Sequence, residues 1–311
     1  MENTFSNSGW MMLGRVQFAH GNLHGAVEMF KRALSENPDD ADAHAVLSLV
    51  LLRQKRLHAA AHEAQLALTL EPELPLAHAA AASVALARRQ FPRAQEHLQR
   101  LLELEPQEPD YLRLQARFHD LTGKQQQRRE ALLKALSFGP DDPHTLTALG
   151  DEALERGDLA EAERRAREAL EADAQFLDGL VLMGHVYLRR GNLEEARDHA
   201  IWALRQNASD PGALRLLVDI QARKSWVLGL WWRWATWMGT LSDTRSMLVL
   251  LGAFAAQRIA TQAALDLKKP EAAALISMAW LAIVAYSWIG PSMFNRMLQR
   301  ELEGVKMNER F

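Results

Sequence analysis

The sequence predicts an all-α fold: a solenoid of about six helix–turn–helix repeats, followed by an interfacial helix and a C-terminal transmembrane helical hairpin. The first observation behind this is a period of 34 residues, the length of a helix–turn–helix solenoid unit. The second is a bias towards Ala, Leu, Glu and Arg, which favour helices. The third is an abrupt change after Lys224, where tryptophan and apolar stretches replace the repeats.

The period is carried by three positions that recur in six consecutive copies. A step of 34 residues from Ala26 meets Ala60, Ala94, Arg128, Ala162 and Ala196. The same step from Ala33 meets Ala67, Leu101, Ala135, Ala169 and Ala203. From Pro38 it meets Pro72, Pro106, Pro140, Ala174 and Ala208. Three registers that share one period indicate a tandem array.

Each copy is predicted to contain two helices. In the first copy, Gly21 follows the first helix, and glycine supplies the positive φ of a helix C-terminus. Pro38 ends the second helix because proline has no N–H and restricts the residue before it. Asp39, Asp40 and Asp42 then offer side-chain caps to the next helix.

These positions resemble the signature of the tetratricopeptide repeat (TPR) family. The first copy matches at Trp10, Leu13, Gly14, Gly21, Ala26, Phe30, Ala33 and Pro38, and departs at Gln17. Copies two and three carry Lys55 and Arg89 at the turn glycine, and copy four has Gln115 and Arg128 at apolar or small sites. The resemblance covers roughly residues 7–210 and implies a right-handed superhelix whose first helices line a concave groove. Residues 211–224 are predicted to form an end-capping helix, so the solenoid domain is expected over 1–224.

The groove is where this resemblance places a protein or peptide partner. Its variable positions are predicted at Arg15, Leu49, Arg53, Ser83, Arg113, Arg117, Asp151, His185 and Arg189. The paired arginines of copy four favour an extended peptide or helix that carries an acidic residue. The alternative is that these side chains are merely solvated. The Lys/Asn/Arg set by which some family members clamp a C-terminal carboxylate is not present.

Residues 225–245 form a Trp-rich amphipathic segment, predicted to lie in a membrane interface. Five tryptophans are concentrated there: Trp226, Trp231, Trp232, Trp234 and Trp237. Tryptophan is enriched where an apolar ring and a polar N–H straddle such an interface. The alternative is a helix that docks on the last repeat.

Residues 246–311 are predicted to form a membrane hairpin and a short polar tail, with spans over about 247–265 and 272–291. No charged residue lies between Glu271 and Arg296, and about 20 apolar residues are needed to cross a bilayer. The first span is interrupted by a polar stripe of Gln257, Arg258, Thr261 and Gln262. The stripe is expected to face the second helix, another subunit or the interface.

Basic residues near the span ends predict the orientation. Arg233, Arg245, Arg296 and Arg300 flank the hairpin, whereas its turn offers only Lys268 and Lys269. The positive-inside rule then places the repeats in the cytoplasm. The tail resembles those of membrane-anchored bacterial TPR proteins, so a multi-pass protein of the bacterial inner membrane is expected.

Several function classes are disfavoured by composition. The net charge of −3 and pI near 6.4 argue against a nucleic-acid partner. The chain contains no cysteine, and the pair His58 and His62 lacks a third metal ligand. Phosphate-binding, dinucleotide and nucleophile-elbow motifs are absent from the sequence. We therefore expect no catalytic residues, no metal and no cofactor.

The functional hypothesis is an adaptor that holds a protein or peptide partner at a lipid membrane. Such tethering raises the partner's effective concentration without a chemical step. One alternative is a structural or transport subunit that forms homo-oligomers through its membrane helices. Another makes 225–311 a soluble dimerisation domain.

Overall fold

A computed structural model describes residues 7–208, 210–224, 243–281 and 284. The chain divides into two compact units, Met1–Arg156 and Gly157–Phe311. All the secondary structure of the described residues is helical, as the period predicts.

The first unit contains helices α1 to α9, of which α1 and α2, α3 and α4, α5 and α6, and α7 and α8 pack as pairs. Their bounds are Asn7–Ala19 (α1), Leu23–Glu36 (α2), Ala41–Arg53 (α3), Leu57–Leu70 (α4), Pro75–Ala87 (α5), Phe91–Leu104 (α6), Pro109–Leu121 (α7), Gln125–Phe138 (α8) and Pro143–Arg156 (α9). Helices α2, α4, α6 and α8 each end two residues before a repeated proline. The sequence signals for helix ends are thus confirmed.

The second unit contains further repeat helices and a helical hairpin. Among the described residues its helices are Leu159–Ala172 (α10), Leu177–Arg190 (α11), Leu193–Gln206 (α12), Pro211–Lys224 (α13) and Asp243–Asp266 (α14), followed by a helix over 270–281 (α15). Helix α13 has the bounds predicted for the capping helix. The turn between α14 and α15 begins after Asp266, where a polar turn is expected, and Lys268 adopts a φ of 56°.

The turn inside each repeat keeps one backbone conformation whatever residue occupies it. Gly21, Gly123, Gly157 and Gly191 have φ between 74° and 89°. Lys55 and Arg89 occupy the equivalent positions of copies two and three, with φ of 61° and 58°. A residue with a Cβ adopts a positive φ only at a cost in free energy. The packing of the surrounding helix pair must therefore impose this turn.

Small residues at fixed positions allow the helices to approach closely. Ala26, Ala60, Ala94, Ala162 and Ala196 are all fully buried. A Cβ added to Gly14 would lie 2.8 Å from Cζ of Phe30, and one added to Gly184 would lie 2.3 Å from Cδ2 of Leu216. Real Cβ atoms essentially never approach this closely, which explains glycine in the first helices of copies one and six.

The prediction of a first membrane span over 247–265 needs correction. That range lies within α14, which is long enough to cross a bilayer. Among the described helices, however, none combines the required length with the required apolarity. Within α14 the apolar sequence is interrupted by the polar residues Gln257, Arg258, Thr261 and Gln262.

The polar stripe itself divides into two parts. Gln257 and Thr261 are partly buried, and the Nε2 of Gln257 donates to Oγ1 of Thr261 at 3.1 Å. Arg258 and Gln262 are exposed, and Nε2 of Gln262 donates to Asp266 at 3.2 Å. The stripe therefore lies partly on the less exposed side of α14 and partly on its outer side.

Other predictions for the tail fall outside the described residues. Most of the predicted interfacial segment lies outside the described residues, including Trp226, Trp231, Trp232, Trp234 and Trp237. Of the second predicted span, only residues 272–281 and 284 are described.

Candidate functional site

The predicted partner site lies along the first helix of each repeat. We call this surface the first-helix face and define it separately in each unit by residues at 34-residue spacing. In the first unit the rows are Met11, Ala45, Ala79, Arg113 and Thr147; Arg15, Leu49, Ser83, Arg117 and Asp151; and Ala19, Arg53, Ala87, Leu121 and Glu155. In the second unit they are Val181 and Arg215; His185 and Asp219; and Arg189 and Arg223.

Between copies two and three, the packing of the first helices buries much of this face. Helices α3 and α5 are in direct contact, with Ala45 fully buried and Ala79 only 6% exposed. Ser83 is 9% exposed, and Leu49 is partly buried against the same alanine-rich cluster. Since alanine side chains allow the helices to approach closely, little of Ser83 is available to a partner.

Arg113 is held inside the repeat array by two carboxylates. It forms ion pairs with Asp110 on its own helix and with Asp142 before α9, and its Nη1 lies 3.3 Å from Oγ1 of Thr145. Burial raises the pKa of Asp142, but the hydrogen bonds from Thr145 and the charge of Arg113 outweigh it, so the pKa lies below its ordinary value. Arg113 therefore joins consecutive repeats.

Arg128, the unusual residue of copy four, has a similar role. It occupies the position of the repeated alanine and is 8% exposed. Its Nη1 lies 2.9 Å from Oδ1 of Asp120 on α7 and 2.6 Å from Oε2 of Glu155 on α9. The guanidinium thus links three helices, which explains how copy four keeps its register without the small residue.

A second cluster in the same region surrounds a buried glutamate. The side chain of Glu152 is 4% exposed and has one oxygen 2.6 Å from Nη1 of Arg129 and the other 2.8 Å from Nε of Arg156. The equivalent residues in the other copies and in α13 are apolar, namely Val16, Val50, Val84, Phe118, Val186 and Ile220. Glu152 therefore places a paired carboxylate where the other copies and α13 have an apolar side chain.

Three predicted arginines of the first unit are exposed to solvent. These are Arg15, Arg53 and Arg117. The guanidinium carbon of Arg53 lies 6.0 Å from the ring centroid of Phe18, within the range of a cation–π interaction. Within the described residues, no carboxylate pairs with Arg117, so of the two copy-four arginines it is the one available to an acidic group. Asp151 is also exposed on this face.

In the second unit, α11 and α13 bring together a cluster of charged groups. Burial lowers the pKa of the half-buried His185; Asp219 opposes this effect, while Arg215 and Arg189 add to it. Arg189 and Arg215 are exposed, and neither is paired with a carboxylate among the described residues. Arg215 and Asp219 were missed in the sequence, although one further 34-residue step from Val181 and His185 reaches them.

Two histidines at equivalent positions are buried with different partners. Nε2 of His44 and of His78 each lie 2.9 Å from the carbonyl oxygen of a repeated proline, Pro38 and Pro72. Nδ1 of His44 lies 2.6 Å from Glu63, whereas Nδ1 of His78 lies 3.2 Å from Nδ1 of His97. Burial and the neighbouring His78 lower the pKa of His97.

No group of three possible metal ligands occurs in the described parts of the chain. His58 and His62 are both exposed on α4.

A profile described as Tetratricopeptide repeat matches residues 11–75, 79–143 and 181–225, which is more than half of the chain. The chain therefore belongs to the tetratricopeptide repeat family. Proteins of this family generally mediate protein–protein interaction, and their fold is typically a non-enzymatic scaffold. The last matched segment includes α13, in agreement with its place in the 34-residue register.

Solved structures with the same fold come from several sources. A thermophilic TPR protein of Thermus thermophilus is 23% identical, with a TM-score of 0.55 over 59% of this chain and 100% of its own. A tetratricopeptide repeat protein of Parabacteroides merdae is 16% identical, with a TM-score of 0.58 over 71% of this chain and 86% of its own.

The APC/C hetero-tetramer Cut9–Hcn1 is also similar: 15% identical, with a TM-score of 0.56 over 70% of this chain and 43% of that one. No curated protein matches the sequence. At these identities the structural comparisons establish the fold.

Proposed function

We propose that this protein is a non-enzymatic scaffold that binds an acidic, extended segment of a partner protein on the first-helix face of one of its two units. The proposal rests on exposed arginines of that face that pair with no carboxylate among the described residues, which include Arg117 in the first unit and Arg189 and Arg215 in the second. Arginine is suited to this role because its planar guanidinium binds a carboxylate through two hydrogen bonds.

The ion pairs already formed inside the first unit support the same proposal. Asp142 and Glu155 already pair with Arg113 and Arg128 inside the first unit. Arg117 and Arg215 have no such partner within the described residues. An acidic partner would supply the missing carboxylates at positions where the arginine side chains are still solvated.

Charge reversal tests the proposal in each unit separately. A fluorescein-labelled peptide of alternating Glu and Leu is titrated against the full chain, the Arg117→Glu variant and the Arg189→Glu/Arg215→Glu variant. We expect at least one variant to bind about tenfold more weakly or worse, since several exposed charge contacts are each worth up to about 1 kcal/mol.

The control reverses exposed charges on second helices. Arg93, Lys134 and Arg205 lie on α6, α8 and α12. The Lys134→Glu variant matches the single reversal and the Arg93→Glu/Arg205→Glu variant matches the double one. If the controls weaken binding as much as the first-helix variants do, the peptide responds to net charge and the proposed site is wrong.

A second part of the proposal concerns location: the C-terminal segment holds the scaffold at the bacterial inner membrane, with the repeats in the cytoplasm. It is supported by the uncharged stretch 272–291 and by large exposed apolar side chains on α15, including Leu275, Met278 and Leu281. Lipid is one environment that covers such side chains.

Alkaline carbonate washing of membranes tests this location. We expect the full chain to stay with the membrane fraction and residues 1–222 to be released. Release of the full chain would contradict the tether and favour a soluble dimerisation domain. If Arg258→Leu with Gln262→Leu abolishes oligomers, the alternative of an assembly or transport subunit is favoured instead.

A further inference from the structure

On the side opposite to the first-helix face, the second helices of copies three and four leave a groove between them. Helices α6 and α8 flank it and α7 forms its floor, so we call it the α6–α8 groove. It is open to solvent and has a volume of about 490 Å³, which is in the range of ligand-binding sites. Its lining includes Leu98, Leu102 and Phe118.

The preceding junction provides an internal comparison. Residues 34 positions earlier line the corresponding gap between α4 and α6, which encloses only about 80 Å³. Small residues there are replaced by large ones in the α6–α8 groove. Ala61, Ala81, Val84 and Ala85 become Gln95, Gln115, Phe118 and His119. Since the distance between packed helices depends on the side chains at the contact, these replacements explain the wider groove.

The floor and the rim of the groove differ in polarity. Leu98 and Phe118 are buried and Leu102 is partly buried, so the floor is apolar. Four glutamines stand on the lining: Gln95, Gln99, Gln115 and Gln127. Gln99 donates to Glu103 at 3.3 Å, whereas the amides of the other three have no hydrogen-bond partner among the described residues. Each amide offers both donors and an acceptor, as a peptide main chain requires.

The groove carries few free charges. Glu103 is paired with Arg100 at 3.0 Å, which leaves Lys124 as the unpaired charged side chain among the described lining residues, with its Nζ 5.9 Å from the ring centroid of Phe118. With one cation in the lining, a highly charged ligand has little to bind here. An uncharged main chain finds complementary amides, and apolar side chains find the floor.

We infer that the α6–α8 groove binds an extended, uncharged peptide segment whose apolar side chains at alternate positions enter the floor while the glutamine amides bind its main chain. Alternate residues of an extended chain point to the same side and lie about 7 Å apart, so two of them enter one groove together. This site is distinct from the first-helix face, and one partner is able to occupy both faces only through two different segments.

The test uses capped, fluorescein-labelled pentapeptides with the sequence Ser-X-Ser-X-Ser, where X is Leu, Phe or Ser. The Leu and Phe peptides are expected to bind the full chain, and the Ser peptide is expected to bind at least tenfold more weakly. Equal binding of all three peptides would overturn the inference, because the apolar floor would then contribute nothing.

The site is located by a matched pair of variants. Gln99 and Gln65 are equivalent exposed residues on α6 and α4, lining the wide and the narrow gap respectively. Gln99→Trp fills the edge of the groove and should reduce binding of the Leu peptide at least tenfold, whereas Gln65→Trp should leave it unchanged. Gln115→Trp, on the floor helix, provides a second blocking variant. Equal effects of Gln99→Trp and Gln65→Trp would contradict the site.

Two further measurements separate this inference from other outcomes. Arg117→Glu and Arg189→Glu/Arg215→Glu should leave binding of the uncharged peptides unchanged, so failure of the first-helix site and failure of the groove are distinguishable.

Sedimentation velocity compares the wild type with Gln99→Trp. If the variant dissociates an oligomer and the peptides do not bind, the groove is filled by a second copy of the chain and the peptide inference is wrong.

Discussion

Replacing both Arg129 and Arg156 by methionine is expected to lower the free energy of unfolding by about 3–5 kcal/mol at pH 7. The two substitutions remove both partners of Glu152, whose side chain is only 4% exposed. A carboxylate left in this environment has lost both charge-assisted hydrogen bonds. Denaturant unfolding gives the free energy, and hydrogen exchange shows whether α8 and α9 are the helices affected.

Adding Glu152→Val to this pair of substitutions should restore most of the lost stability. The triple variant places an apolar residue where the other copies and α13 already have one, and replacing a buried ion-pair group with apolar residues is often neutral. If the triple variant is as unstable as the double variant, the arginines stabilise through their own packing and not through the carboxylate.

The Phe30→Ala substitution is expected to cost about 3–5 kcal/mol. Phe30 is fully buried, and its ring occupies the space that the missing side chain of Gly14 leaves. It packs in one cluster with Val27, Val46 and Val50, so its removal leaves a cavity shared by copies one and two. Denaturant unfolding should show the loss, and exchange should rise mainly in α1 to α3.

Phe138→Ala serves as the matched control, because that ring is 42% exposed. A change at an exposed surface position is usually within about 0.5 kcal/mol. Equal losses in the two variants would contradict the assignment of Phe30 to the core of the repeat.

The sequence predicted the array because its evidence is local and repeated. The positions of Ala26, Gly21 and Pro38 recur with one period, and each has a backbone or packing reason that does not depend on distant residues. The equivalents of Gly21 that lack glycine, Lys55 and Arg89, keep a positive φ. Helix ends were predictable for the same reason.

The candidate site was less predictable because exposure and pairing depend on neighbouring repeats. Arg113 lies on the predicted face, yet its partner Asp142 is 29 residues away and belongs to the next copy. Ser83 lies on the same face but is buried, because the alanines of α3 and α5 allow close contact. Arg215 was within reach of sequence analysis, since α13 continues the register of the first helices.

In the C-terminal segment, the hairpin turn was predictable from the sequence but the membrane span was not. The sequence contains both an apolar stretch of spanning length and the polar stripe of Gln257, Arg258, Thr261 and Gln262 that interrupts it. Among the described helices, α14 included, none is both long enough and apolar enough to cross a membrane. The hairpin turn after Asp266 was predicted from its polar residues and is present.

The acidic-peptide titration, repeated at low and high salt, tests the central claim most directly. The account predicts that the wild-type chain binds the Glu/Leu peptide, that salt weakens binding, and that Arg117→Glu or Arg189→Glu/Arg215→Glu removes most of that salt dependence. If both variants bind with wild-type affinity and salt dependence, the exposed arginines of the first-helix face are not the binding site.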